Sequence, residues 1–177
     1  TDDEANPQAP LIHAQGKLRW AESDTSDKPS TQDISGIRAR CAQHMSGADM
    51  VTRLEATGLG RAGASFHAMT DLWFNQTEAL ARLNMPGCVL NGSESYELHP
   101  SMMDVAFEAV QFLLAQGEEQ PVVRLPFALR RLRIHGSVPE QAFAYARPSA
   151  NSADGAGVGS YDIDILDESG QVLVAFE

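Results

Sequence analysis

With 177 residues and 43% hydrophobic content, the chain suits one full domain or two small halves and can bury a core, which excludes a disordered segment. Its 24 acids outweigh 13 bases, 11 of them Arg; the resulting net charge of −11 argues against non-specific binding to nucleic acid or an anionic membrane, which needs a positive field. No apolar run reaches the roughly 20 residues that span a bilayer, "TDDEANPQAP" lacks the basic and apolar regions of a signal peptide, and Cys41 and Cys88 are too few for a disulfide framework, so the chain reads as cytoplasmic.

In chain order, residues 9–20, "APLIHAQGKLRW", alternate enough to predict a strand. Residues 21–36, rich in Ser, Asp and Thr, cannot bury apolar surface and read as a linker. A short helix is expected around 47–57, with Met50, Val51 and Leu54 on one face and Gly58 as its stop. "ASFHAMTDLWF" and "EALARLNMP" read as two strands joined through "NQT". A long helix starts near Pro100, a residue suited to the first helical position, and ends at Gly117. Strands return in "VVRLPFALRRLRIHG", "QAFAYARP" and "GSYDIDILD", and the last is joined through "ESG" to "QVLVAFE" as a hairpin with Gly170 in its turn. Residues 148–157 read as a surface loop, and both ends of the chain read as cut. One long, nearly all-apolar helix among antiparallel strands predicts an α+β fold with a curved sheet around the helix.

That helix carries a puzzle. Met103, Ala106, Val110 and Leu113 line one face; Met102, Val105, Ala109 and Phe112 line another. What remains is a narrow stripe of Ser101, Asp104, Glu108 and Gln111. The stripe either faces water or faces a cavity in which an acid does chemistry. A carboxyl against apolar walls has its charged form disfavoured and can donate a proton near neutrality. Two carboxyls one turn apart would titrate as a pair.

"LHPSMMDVAFEAV" resembles the Leu-His-Pro-x-x-x-Asp segment of dehydratase domains in modular polyketide synthases. "HAQGKL", "TGLG", "ASFHAMTDLW", "EALARLNMP", "YELHP", "RLPFALRRLRIHG" and the final hairpin follow the same family in order. The resemblance implies a double hotdog, two helix-in-sheet halves side by side. Residues 1–20 would be the last strand of a preceding N-terminal hotdog, 21–36 the linker and 37–177 the C-terminal hotdog. It implies loss of water from a 3-hydroxyacyl group on an acyl carrier protein, giving the 2-enoyl thioester. Asp104 would be the general acid, and a base histidine would take the proton alpha to the thioester. The family places that histidine in a His-x-x-x-Gly-x-x-x-x-Pro motif on the first hotdog. This chain has no such motif, and its site looks like half of one.

Further carry-over is residue by residue. Glu108 stands where Gln or His usually hydrogen-bonds the acid, and a neutral Glu108 would still donate that bond. His99 and Pro100 sit beside the site, with His99 fixing the helix start rather than acting as base. "GLGRAGASF" keeps Gly63 and Phe66 of a Gly-Tyr-x-Tyr-Gly-Pro-x-Phe pattern, with Ala62 and Ala64 for its second Tyr and its Pro. Leu125, Pro126 and Phe127 of a Leu-Pro-Phe-x-Trp pattern are present, with Leu129 for the Trp. Arg124, Arg130, Arg131 and Arg133, the one basic cluster, are either ordinary solvated positions or a docking site for the acidic carrier protein. The implied partners are the carrier protein, the other domains of a synthase and a second copy of the chain, with no nucleic acid and no membrane. The domain would have no cofactor of its own, its substrate riding on the carrier's phosphopantetheine. The departures at Ala62, Ala64, Glu108 and Leu129 support an alternative, a non-catalytic dehydratase-like module for structure or carrier docking. A free-standing hotdog thioesterase would also use a helix carboxylate but would not need the leading strand and linker.

Two motifs are set aside. "GLGRAG" matches Gly-x-Gly-x-x-Gly but lies between a helix and a strand, the reverse of a dinucleotide fold. "CAQH" at Cys41 to His44 offers two metal ligands without a second pair, so no metal site is expected.

Overall fold

Seven antiparallel strands form one sheet in the computed structural model, which describes residues 12–19, 28–56, 63–114, 125–150 and 159–177. The elements run α1 (Ile34–Arg40), β1 (Gln43–Ser46), α2 (Gly47–Glu55), β2 (Met69–Phe74), β3 (Ala79–Asn84), α3 (Pro100–Leu114), β4 (Leu132–Ile134), β5 (Gln141–Pro148), β6 (Tyr161–Leu166) and β7 (Val172–Phe176). Across the sheet the order is β1-β2-β3-β5-β6-β7-β4. The chain crosses from β3 to β5 by way of α3, which packs on β2, β3, β5 and β6. This is the hotdog architecture, a long central helix wrapped by an antiparallel sheet.

The connections have local causes. Asn75 Oδ1 accepts the backbone N–H groups of Thr77 and Glu78 at 2.8 and 3.0 Å, which turns β2 into β3. Asp167 Oδ1 does the same for Ser169 and Gln171 at 2.8 and 3.0 Å. Gly170, at φ 87°, completes that turn with its backbone against the Gln32 carbonyl, so both its conformation and the space exclude a Cβ. At α2 the Ser46 hydroxyl accepts from Asp49 N–H at 3.2 Å and donates to the Asp49 carboxylate at 2.7 Å.

Side-chain alternation explains where the helix lies. The inner face of β3 and β5 is a row of small residues: Ala79 is paired with Ala146 and Ala81 with Ala144, and Leu83 faces Ala142. This alanine trough lets α3 come close, and Met102, Val105, Ala106, Ala109 and Phe112 bury into it. Phe112 meets Phe74 at 5.7 Å between ring centroids, and Phe107 meets Phe176 edge-on at 5.0 Å. Trp73 of β2, Leu80 of β3, Tyr145 of β5 and Leu166 of β6 are turned outward, where Ile37 and Cys41 of the α1 region cover them. Buried Glu78 ties that layer down: it takes two bonds from Arg40 at 2.8 Å each and one from the Tyr145 hydroxyl at 2.9 Å. The Arg40 guanidinium holds the Glu78 carboxyl below its ordinary range.

Several expectations change. Residues 12–19, expected in a strand, have no regular structure, and Ile12 and Leu18 are 72% and 88% exposed. Alternation makes a strand only where a ladder partner exists, and none of the described strands pairs with this stretch. The end of the expected linker is folded. Ser30 accepts from Val172 N–H at 2.9 Å, Gln32 N–H donates to Gly170 at 2.8 Å, and Asp33 caps α1 through Gly36 N–H at 2.9 Å. In "ASFHAMTDLWF" the first three residues form a short 3-10 turn, and the strand begins only at Met69. In "VVRLPFALRRLRIHG" the described strand is three residues, because Leu125 to Arg130 are exposed and irregular. The rest of the expected strand, Gly58, the helix end at 115–117 and most of the 148–157 loop lie outside the described residues.

The trough yields a stability prediction. Ala144→Leu forces extra methylenes under α3 and is expected to cost about 1–3 kcal/mol, read as a lower urea midpoint. Ala128→Leu, on the exposed segment, is the control and is expected to leave the midpoint within about 0.5 kcal/mol.

Candidate active site

On α3 the polar stripe is graded rather than uniformly wet. Ser101 is buried, Asp104 exposed, and Glu108 and Gln111 half-buried. The flanking faces, Met102, Val105, Ala109 and Phe112 on one side and Met103, Ala106 and Val110 on the other, are buried. The carboxyl set against apolar surroundings is therefore Glu108, not Asp104. Burial, and then the charge of Asp104, push the Glu108 carboxyl up to about 7. Near neutral pH Glu108 is therefore partly protonated, and in that form it is a hydrogen-bond donor one turn from Asp104.

The other residues expected at the site fall into three groups. His99 is half-buried just before the helix, with Pro100 as the first helical residue. Tyr96, which sequence reasoning did not single out, meets the His99 ring edge-on at 5.0 Å. Its only sequence signal is an aromatic three residues before the histidine. Gly63, exposed, leads into the Ala64–Phe66 turn that packs against α3, and Phe66 is half-buried there. Leu125 and Phe127 are 75% and 94% exposed, and Pro126 between them is exposed too. With exposed Leu129, Leu132 and Ile134 they make a run of exposed apolar side chains along residues 125–134, which ends in the edge strand β4.

Three of the clustered arginines gather on one carboxylate. Arg130, Arg131 and Arg133 approach the Glu177 carboxylate at 3.2, 3.9 and 2.8 Å. No local pattern links them to Glu177, which β4–β7 pairing brings there. Arg124 and Ala62 lie outside the described residues. Cys41 and His44 diverge, as the thiol is buried under α1 while His44 Nε2 stands 3.0 Å from Asp71.

A family model described as the polyketide synthase dehydratase N-terminal domain matches residues 29–177. Polyketide synthase PksM of Bacillus subtilis (strain 168) is 32% identical over an alignment of 184 positions that covers 98% of this chain and 4% of that protein. Polyketide synthase ThaG of Burkholderia thailandensis is 30% identical over 168 residues, 93% of this chain and 3% of that protein. Among solved structures, a trans-AT polyketide synthase dehydratase domain from Brevibacillus brevis superposes with a TM-score of 0.77 at 30% identity. The match covers 85% of this chain and 52% of that one. The pyran synthase domain from module nine of the sorangicin pathway gives 0.73 at 30% identity, over 85% of this chain and 54% of that one. The chain thus spans about half the length of these solved structures and a few per cent of the synthases.

The raised Glu108 carboxyl has a stability signature. The folded chain keeps a proton that the unfolded chain releases, so stability is expected to fall as pH rises from about 4.5 to about 7. Glu108→Gln is expected to remove that contribution to the slope and to be more stable than the parent at pH 8. Urea midpoints measured across that range for both proteins check it.

Proposed function

This chain belongs to the polyketide synthase dehydratase family, and from that membership we propose that it supplies the acid half of a site that removes water from a 3-hydroxyacyl thioester. The observation that carries the proposal is Asp104, presented on the open stripe of an otherwise buried helix with the protonatable Glu108 one turn behind it. The base histidine, supplied by a companion hotdog, takes the proton alpha to the thioester. The carbon–oxygen bond at the 3-position breaks with its electron pair on oxygen. Asp104 delivers a proton to that oxygen, so water leaves and the 2-enoyl thioester remains. Glu108, when protonated, donates a hydrogen bond that orients Asp104. A positioned acid of this kind contributes about 10²–10⁴-fold.

The domain assignment belongs to the same proposal, with residues 37–177 as the C-terminal hotdog, the stretch from Ser30 folded onto it, and residues 1–20 as the end of a preceding one. The Leu-His-Pro-x-x-x-Asp helix supports this placement; the word "N-terminal" in the family model's description speaks for the other half. Covering the run of Leu125, Phe127, Leu129, Leu132 and Ile134 gives the companion unit a physical reason to pack here. The substrate rides on an acyl carrier protein's phosphopantetheine. Arg130 and Arg131, exposed beside Glu177, are the proposed docking cations, where the carrier's acids would compete with Glu177. The proposed setting is a cytoplasmic synthase, with its other domains and a second copy as partners.

The test is mass spectrometry of a 3-hydroxyacyl carrier protein mixed with this chain and its companion unit. The parent is expected to remove one water, and Asp104→Asn to slow that step by about 100-fold or more. No water loss from a folded parent, across several chain lengths and both hydroxyl configurations, would instead favour the non-catalytic module.

A further inference from the structure

The first turn of α3 has an unusual economy. A helix begins with backbone N–H groups that lack partners inside it. Here the first residue is Pro100, which has no N–H. The next N–H, of Ser101, donates to His99 Nδ1 at 3.2 Å. Those of Met102 and Met103 donate to the His99 carbonyl at 3.0 and 3.1 Å. One residue therefore takes every N–H that the first turn offers up to Met103. No acidic side chain in that turn shares the task.

The burial of this turn makes the task necessary. Ser101 and Met102 are fully enclosed and Met103 nearly so, which leaves water little access to an unmet N–H. The ring is also held from outside by Tyr96, edge-on at 5.0 Å. To accept from Ser101, Nδ1 must carry a lone pair, so the ring is in the form with its proton on Nε2. Asp104 follows Met103 directly. Its direction from the helix is set by the turn that His99 closes.

From this geometry we infer that His99 is a positioning residue, whose Nδ1 acceptor fixes the first turn of α3 and so the placement of the Asp104 carboxyl. The inference rests on the proposed role of Asp104 as acid. It assigns the imidazole a structural task that any well-placed acceptor could perform. Asn is a good helix cap and Ala a poor one.

The experiment compares His99→Ala and His99→Asn with the parent, each with the companion unit present. Hydrogen exchange at the Ser101 amide and the carboxyl carbon resonance of Asp104 are read by nuclear magnetic resonance, and turnover by water loss. In His99→Ala the Ser101 amide is expected to exchange about tenfold faster and the Asp104 resonance to move. Its kcat is expected to fall about tenfold or more with KM within about twofold. His99→Asn is expected to restore amide, resonance and kcat to within about threefold of the parent. An Asn variant as impaired as the Ala variant would overturn the inference, and so would an Ala variant with an unchanged Ser101 amide and Asp104 resonance. If the parent removes no water, the proposed function fails, while the amide and the resonance still decide whether His99 places Asp104.

Discussion

A helix that is apolar almost all round cannot stand at a protein surface, and the rest of this structure follows from burying one. The 15-residue α3 hides all but a narrow stripe. The sheet meets that demand with alanines at Ala79, Ala81, Ala142, Ala144 and Ala146, which leave room for the backbone of the helix to come near. Larger side chains on the same strands are turned to the outer face, where the α1 region and the buried Glu78 cluster lock them in place. The helix can then neither roll nor slide without emptying one face and overfilling the other.

Rigidity of this kind is what a proton-transferring carboxyl needs. Asp104 lies on the open stripe, and Glu108, deeper in the stripe, keeps its proton to about pH 7 because its surroundings disfavour charge and a second acid stands one turn away. The same helix is anchored at its start by His99, through both its ring and its carbonyl. Packing sets how far the helix can move, the cap sets where it begins, and burial, then the charge of Asp104, raises the Glu108 carboxyl.

Much of this could be read in the sequence, and the exceptions have physical reasons. The strand at Gln141–Pro148, the Gly170 hairpin and the start of α3 at Pro100 were legible because local chemistry decides them: alternation, a required positive φ and a residue with no N–H to lose. The polar stripe was legible by helical spacing, and the motif around Asp104 by resemblance. Which carboxyl is buried was not, since Asp104 and Glu108 share the stripe and only the depth of packing separates them. Of the strand expected at residues 9–20, the described part, 12–19, has no partner among the described strands, since alternation does not create one. The convergence of three arginines on Glu177 depends on strands that meet only in the folded sheet.

The proposed acid, Asp104, lacks the base that the proposal requires, and exposed apolar side chains run from Leu125 to Ile134, ending in the edge strand β4. Both are accounted for if a second hotdog unit packs on this one and brings the histidine with it. Hydrogen exchange of this chain, alone and with the companion unit, tests that claim most directly. Slower exchange is expected in 125–134 and in the first turns of α3 when the unit is added. Unchanged exchange in both segments, with protection appearing instead along β1 at the opposite edge, would contradict it.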